Sequence, residues 1–182
     1  TSPTMQLYEV NNTLNTDGIA LTLPAVEIKK AESAESVQLS GLAIFKGDRQ
    51  IGWLEDLPSK YYSFVRDQIA GGLLLTVGES GGEGLALEIL RSKTKVRPQV
   101  SGNSVTVLVK VHVEAVAAEQ NSKEDYLATA GFEKIEDYAG KTLEQEMTST
   151  IRMVQKQYGS DIFGFGSKIH EDLPDDWKRL KP

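Results

Sequence analysis

The stretch SVTVLVKVHVEA, Ser104 to Ala115, constrains the fold more than any other part of the chain. Val105, Val107, Val109, Val111 and Val113 alternate with Thr106, Leu108, Lys110 and His112. That period of two belongs to a β-strand with one face in a core and the other polar. A turn at Ser101-Gly102-Asn103 leads into it, and Leu85 to Val96 and Leu73 to Val77 also read as strands.

The chain from Val37 to Leu54, VQLSGLAIFKGDRQIGWL, has two apolar runs flanking Gly47-Asp48. Glycine at the first central position fits a type II′ turn, whose twist matches that of paired strands. The expected register sets Lys46 opposite Arg49 and Ile44 opposite Ile51. Ile19 to Lys30 alternates like a strand, but Pro24 cannot donate to a ladder and predicts an edge or a bulge. The polar AESAES that follows reads as a loop.

Helical spacing marks other segments. Residues 4–15 place Met5, Leu7, Tyr8 and Leu14 at helical intervals, with a stop at Asp17-Gly18. EDLPSKYYSFVRDQIAGG sets Tyr61, Phe64, Val65 and Ile69 on one stripe, ended by glycine. The longest helix is predicted over 132–158, with Leu143, Met147, Ile151, Val154 and Tyr158 on one face and Gly159 at the left-handed cap. PDDWKRL opens a final short helix with Pro174 and acidic residues. Between the last two helices, SDIFGFG offers Asp161 as a cap, and Phe163 and Phe165 two residues apart for the core. Gly164 and Gly166 there permit close backbone approach or positive φ. A helix rather than a strand precedes this run, which therefore reads as a structural junction rather than a phosphate loop.

No internal repeat or linker divides the 182 residues, a length that supports one domain with a real core. The expected class is α+β, a mainly antiparallel or mixed β-sheet covered by a long C-terminal helix and shorter helices. There is no cysteine, so disulfides, zinc–thiolate sites and thiol nucleophiles are excluded. A net charge of -6 argues against a general nucleic-acid binder. No apolar run reaches the ~20 residues that span a bilayer. The start, TSPTMQLYEV, lacks the pattern of a secretory signal and reads as a fragment of a longer protein.

Few residues suggest chemistry. VGESGGEG, Val77 to Gly84, follows a strand but lacks the Lys-Ser/Thr and spacing of a phosphate loop and carries two glutamates, so it reads as a solvated turn. The two histidines have no metal-ligand spacing; His112 falls on a polar strand face and His170 beside Glu171 and Asp172. Ser160 or Ser167 with His170 is an imaginable hydrolase pair, without a G-x-S-x-G elbow. No cofactor is expected. Arg91, Lys93, Lys95 and Arg97 recur every second residue and share a strand face, either as an anion-binding stripe or as a charged edge that deters strand pairing. Trp177 either faces a partner or packs its short helix on the body.

Three stretches carry a family resemblance: LSGLAIFKGDRQIGWL (39–54), LEILRSKTKVRP (87–98) and SDIFGFGSKIHEDLPDDWKRLK (160–181). In their order and spacing they resemble the C-terminal domain of the Ger(x)C family, the C subunits of bacterial spore germinant receptors. The resemblance implies a non-catalytic domain of a longer lipoprotein, whose signal peptide, lipidated cysteine and two preceding domains are absent here. It implies tethering at the outer face of the spore inner membrane, and partners in a membrane-spanning A subunit and a transporter-like B subunit. Such receptors trigger germination in response to nutrients. The alternative is a sensor domain that binds a small nutrient itself, in a pocket between the sheet and the long helix.

Overall fold

The computed structural model describes residues 5–31, 34–77, 83–120 and 129–181. The order of elements is α1 (Leu7–Leu14), β1 (Thr22–Ala31), β2 (Ala34–Lys46), β3 (Arg49–Leu54), α2 (Asp56–Val65), β4 (Gly72–Val77), β5 (Glu83–Ser101), β6 (Ser104–Gln120), α3 (Thr129–Tyr158), α4 (Phe165–Asp172) and α5 (Pro174–Leu180). The class is α+β as expected. The strands, however, form two three-stranded sheets, β1-β2-β3 and β4-β5-β6, rather than one, and all the described pairing is antiparallel. Each sheet is a meander of consecutive strands, and α2 carries the chain from the first to the second.

In the first sheet β1 is an edge strand, and its register with β2 shifts between Pro24 and Val26, the bulge that proline predicts. Of AESAES, Ala31 and residues 34–36 are strand rather than loop, and the two residues between them lie outside the described residues. Lys29 pairs with Ser36 and Lys30 with Glu35, because a ladder is made by the backbone and continues through polar side chains. Lys46 faces Arg49 across the turn, with Gly47 at φ 60°, but Ile44 lies opposite Gly52 and not Ile51. A bulge between Ile44 and Phe45 makes the difference. Gly52 is needed there: a Cβ at this position would sit 2.2 Å from the Tyr158 ring, whose hydroxyl donates to the Trp53 carbonyl at 2.7 Å. The last turn of α3 thus docks on β3.

Helix α2 stops at Val65, short of the expected glycines. Asp67 there adopts φ 58°, and its carboxylate accepts the Thr94 backbone N–H at 2.7 Å. Ile69 still packs against the core from beyond the helix. α3 matches its predicted stripe, with Leu143, Met147 and Val154 buried, Ile151 and Tyr158 partly buried, and Gly159 at φ 53°. β6 is strand as read, but its valine face enters the core only in part: Val109, Val111 and Val113 pack against it while Val105 is exposed. Among the described residues, the ladder of β5 past Ile89 pairs with β6 alone, and helices cover one face of this outer half of the ribbon.

One cluster unites Leu42, Ile44 and Leu54 of the first sheet, Tyr61, Tyr62, Phe64 and Val65 of α2, Leu74, Leu85, Leu87 and Ile89 of the second sheet, and α3. Ile162 and Phe163 close it from the junction after α3. Burying such side chains contributes about 1.5–3 kcal/mol each.

Candidate functional site

SDIFGFG is tied to several elements at once. Both oxygens of the Asp161 carboxylate accept backbone N–H groups, from Gly164 at 2.9 Å and Gly166 at 2.7 Å. The Asp161 carbonyl accepts from Ala20 at 2.7 Å, and the Ser167 N–H donates to Gly18 at 2.7 Å. Gly18 has φ 77°, and a Cβ there would fall 2.4 Å from the backbone of Gly166. Phe163 is buried, stacked on Phe165 at 5.3 Å and tilted against Tyr62 at 5.9 Å. The Arg66 guanidinium donates to the Phe163 carbonyl at 3.0 Å. These contacts hold elements together, while the Arg66 Nε is buried without a hydrogen-bond partner.

The imagined hydrolase pair finds no support in this geometry. The Ser160 hydroxyl donates to the Phe45 carbonyl at 3.1 Å, and Ser167 is tied through its backbone to Gly18. His170 is exposed and stacks on Trp177 with centroids 5.5 Å apart. Trp177, offered as a partner-facing residue, is only 9% exposed, its ring against Gly166 and His170. That is the packing role, because an amphipathic terminal helix buries its one aromatic. VGESGGEG lies largely outside the described residues, as does most of the polar segment before α3. Among the described residues no group of three or more His, Asp or Glu is placed to hold a metal, and no helix is long and apolar enough to cross a membrane.

Arg91, Lys93, Lys95 and Arg97 do share one exposed face of β5. Their surroundings divide them. Arg91 lies 3.7 Å from Glu114, and Lys93 is bound to Asp67. Lys95 faces Lys110 and Arg97 faces Leu108 on β6, and these four line a depression of about 140 Å³. Lys110 was legible as a polar-face residue, but its register with Lys95 depends on the length of the β5–β6 turn and the bulges below it. Elsewhere two lysines feel their environment. Burial lowers the pKa of Lys60, whose ammonium donates to the Leu73 carbonyl. Asp172 first and Glu171 next, each 3.0 Å away, raise that of Lys168.

Two further surfaces were not singled out by residue number. On one face of the β1–β2 hairpin, Val26 pairs with Leu39 and Ile28 with Val37, and these four side chains are 65%, 45%, 64% and 73% exposed. Exposed Trp53 and Leu57 line a hollow with Val26 beside them. The opposite face of the hairpin carries Glu27, Lys29, Ser36 and Gln38. The alternation in VEIK and SVQL was a usable signal, but alternation alone does not say whether an apolar face is covered. The second surface is an apolar cleft of about 630 Å³ between the sheet β4-β5-β6 and the first half of α3, lined by Leu74, Leu87, Val111, Phe132, Ile135 and Leu143 among others, with His112, Glu114 and Glu136 at its polar parts.

An α+β body with two antiparallel meanders and a closing aromatic junction defines the class, and comparison with known proteins gives the family. The chain belongs to the family described as spore germination B3/GerAC like, C-terminal, whose model matches residues 40–182. Among curated proteins of Bacillus subtilis (strain 168), it is 23% identical to spore germination protein YndF over 80% of this chain and 37% of that protein. It is 24% identical to spore germination protein B3 over 91% of this chain and 43% of that protein. The chain therefore spans less than half the length of these relatives. A crystal structure of the GerBC protein has the same fold, with a TM-score of 0.80 at 22% identity, covering 97% of this chain and 54% of that one.

Proposed function

We propose that this chain is a non-catalytic assembly domain of a spore germinant receptor, acting in germination through protein–protein contact. The observation that carries the reading is the uncovered apolar face of Val26, Ile28, Val37 and Leu39 with Trp53 alongside. Paired apolar side chains exposed together on a regular sheet, with tryptophan near them, fit a surface that a partner covers. Membership of a spore germination family supports the setting. In this arrangement the chain is the single C-terminal domain of a longer lipoprotein. A lipid anchor holds that lipoprotein at the outer face of the spore inner membrane, and its partners are the A and B subunits of the receptor. Deleting this domain from the full-length subunit is expected to abolish co-purification with A and B and to suppress germination. Undiminished assembly and germination overturn the reading.

The cleft between the second sheet and α3 favours a second reading, a sensor that binds a small nutrient directly. Its volume lies in the range of small-molecule sites, and its lining combines apolar side chains with a few polar groups. Calorimetry of the chain with a panel of amino acids, sugars and nucleosides tests it. Saturable heat that Phe132→Ala abolishes supports the sensor, and no heat with any of them disposes of it.

A further inference from the structure

The outer face of the β5–β6 ribbon separates four cations into two that are paired and two that are not, and adds a third unpaired one. Arg91 has Glu114, and Lys93 has Asp67, whose carboxylate also takes the Thr94 N–H. Lys95, Arg97 and Lys110 are exposed, and among the described residues no carboxylate is bonded to any of them. Lys95 and Lys110 sit directly opposite each other in the ladder. Side chains so placed have Cβ atoms about 4.5–5.5 Å apart, and like charges there are destabilising. Folding alone gives no reason to set two ammonium groups across from each other with a guanidinium on the next same-face position. A bound anion does.

We infer that Lys95, Arg97 and Lys110 form a binding site for a phosphate group. The depression they line, about 140 Å³, holds the volume of several waters, each of about 30 Å³ in the liquid, which is room for a tetrahedral oxyanion. Arg97 supplies the planar fork that bonds two phosphate oxygens at once, and the two lysines supply point charges on either side. Three cations around one depression are enough to balance the charge of about -1.5 to -2 that a phosphomonoester carries near neutrality, and the single charge of a phosphodiester headgroup. Leu108, exposed in the same lining, gives the site an apolar floor on which the carbon side of a phosphoester can rest. The chain as a whole is acidic, so this positive patch is a local exception rather than a reflection of composition. The inference does not rest on the assembly reading, because it concerns the ribbon and not the β1–β2 hairpin.

The phosphate can come from a free solute or from a lipid headgroup, and two arms separate them. In the first, inorganic phosphate is titrated into the 182-residue chain at low ionic strength while backbone amide resonances are followed. In the second, the chain is sedimented with phosphatidylglycerol vesicles and with phosphatidylcholine vesicles. Saturable shifts confined to residues 95–97 and 108–110 support the site with a solute as ligand. Co-sedimentation with the anionic vesicles alone supports it with a headgroup as ligand. In either arm Lys110→Gln and Arg97→Gln each weaken binding about tenfold, while Arg91→Gln leaves it unchanged. Lys110→Gln also raises Tm, since it removes a like-charge pair, so lost binding cannot be misread as lost folding. Three results overturn the proposal: neither arm shows binding, Arg91→Gln weakens binding as much as Lys110→Gln, or a polyglutamate peptide at equal charge competes as well as phosphate.

Discussion

The junction at Gly159–Gly166 and the outer face of the β5–β6 ribbon differ in how their polar groups are used. In the junction, Asp161 spends both carboxylate oxygens on backbone N–H groups, and Phe163 fills a slot between Tyr62 and Phe165. On the ribbon, Lys95, Arg97 and Lys110 project from a ladder that holds its shape without them. The junction's glycines and aromatics read in sequence as structural, and in the fold their chemistry is consumed by contacts between elements. The ribbon's charges read in sequence as either an anion-binding stripe or a charged edge, and Lys95, Arg97 and Lys110 remain available. Capacity for binding resides where polar groups have not been satisfied internally.

That contrast can be broken by substitution, and the largest effect is expected in the junction. Phe163→Ala opens a void between α2 and the junction and should cost about 3–5 kcal/mol, read as a lowered midpoint in urea. Gly18→Ala should cost about 2–4 kcal/mol, because the new Cβ meets the Gly166 backbone and the residue holds a left-handed φ. Asp161→Asn keeps the shape but exchanges one acceptor oxygen for a donor facing an N–H, a loss of about 1–3 kcal/mol in the same assay.

Intermediate effects belong at the seam between the two regions. Asp67 takes the Thr94 N–H and pairs with Lys93, so Asp67→Gly, which tolerates the positive φ, should cost about 1–2 kcal/mol and free one more cation on the ribbon. Smallest is Lys168. Its carboxylate partners raise its pKa above the ordinary 10.5. The pairing therefore contributes fully below pH 10.5 and is lost as pH climbs through the raised value. Lys168→Gln should flatten that alkaline loss of Tm and change little at neutrality, as expected for a solvent-screened pair.

Local pattern made much of the fold legible. The valine alternation at 105–113 identified β6, the spacing of Leu143, Met147 and Val154 identified α3, and Gly159, Pro174 and the Gly47 turn marked boundaries that the structure keeps. What escaped was set by partners distant in sequence. α2 ends at Val65 rather than at the glycines, at the bend where Asp67 reaches Thr94 on β5. Ile51 loses its expected place to the bulge between Ile44 and Phe45, which sets opposite Ile44 the Gly52 that admits the Tyr158 ring from α3. Ala31 and residues 34–36 pair as strand because the backbone ladder of β1 and β2 runs on past Ile28 and Val37.

The same holds for the surfaces. The stripe of Arg91, Lys93, Lys95 and Arg97 could be read from its period of two, but not its division by Glu114 and Asp67, nor the arrival of Lys110. Trp177 could be placed on a helix, but which side met the body depended on Gly166 and His170. That Val26, Ile28, Val37 and Leu39 stand uncovered follows only from the absence of any described element over that face of the hairpin.

The proposed assembly role rests on this hairpin face, and one measurement tests it directly. In the full-length subunit, Ile28→Lys with Val37→Glu replaces two exposed apolar side chains that face each other in the ladder by an opposite-charge pair and leaves the core untouched. The melting of the isolated chain should stay within about 0.5 kcal/mol of the parent, while co-purification with the A and B subunits falls away. An unaltered yield of A and B, with the fold intact, would contradict the account.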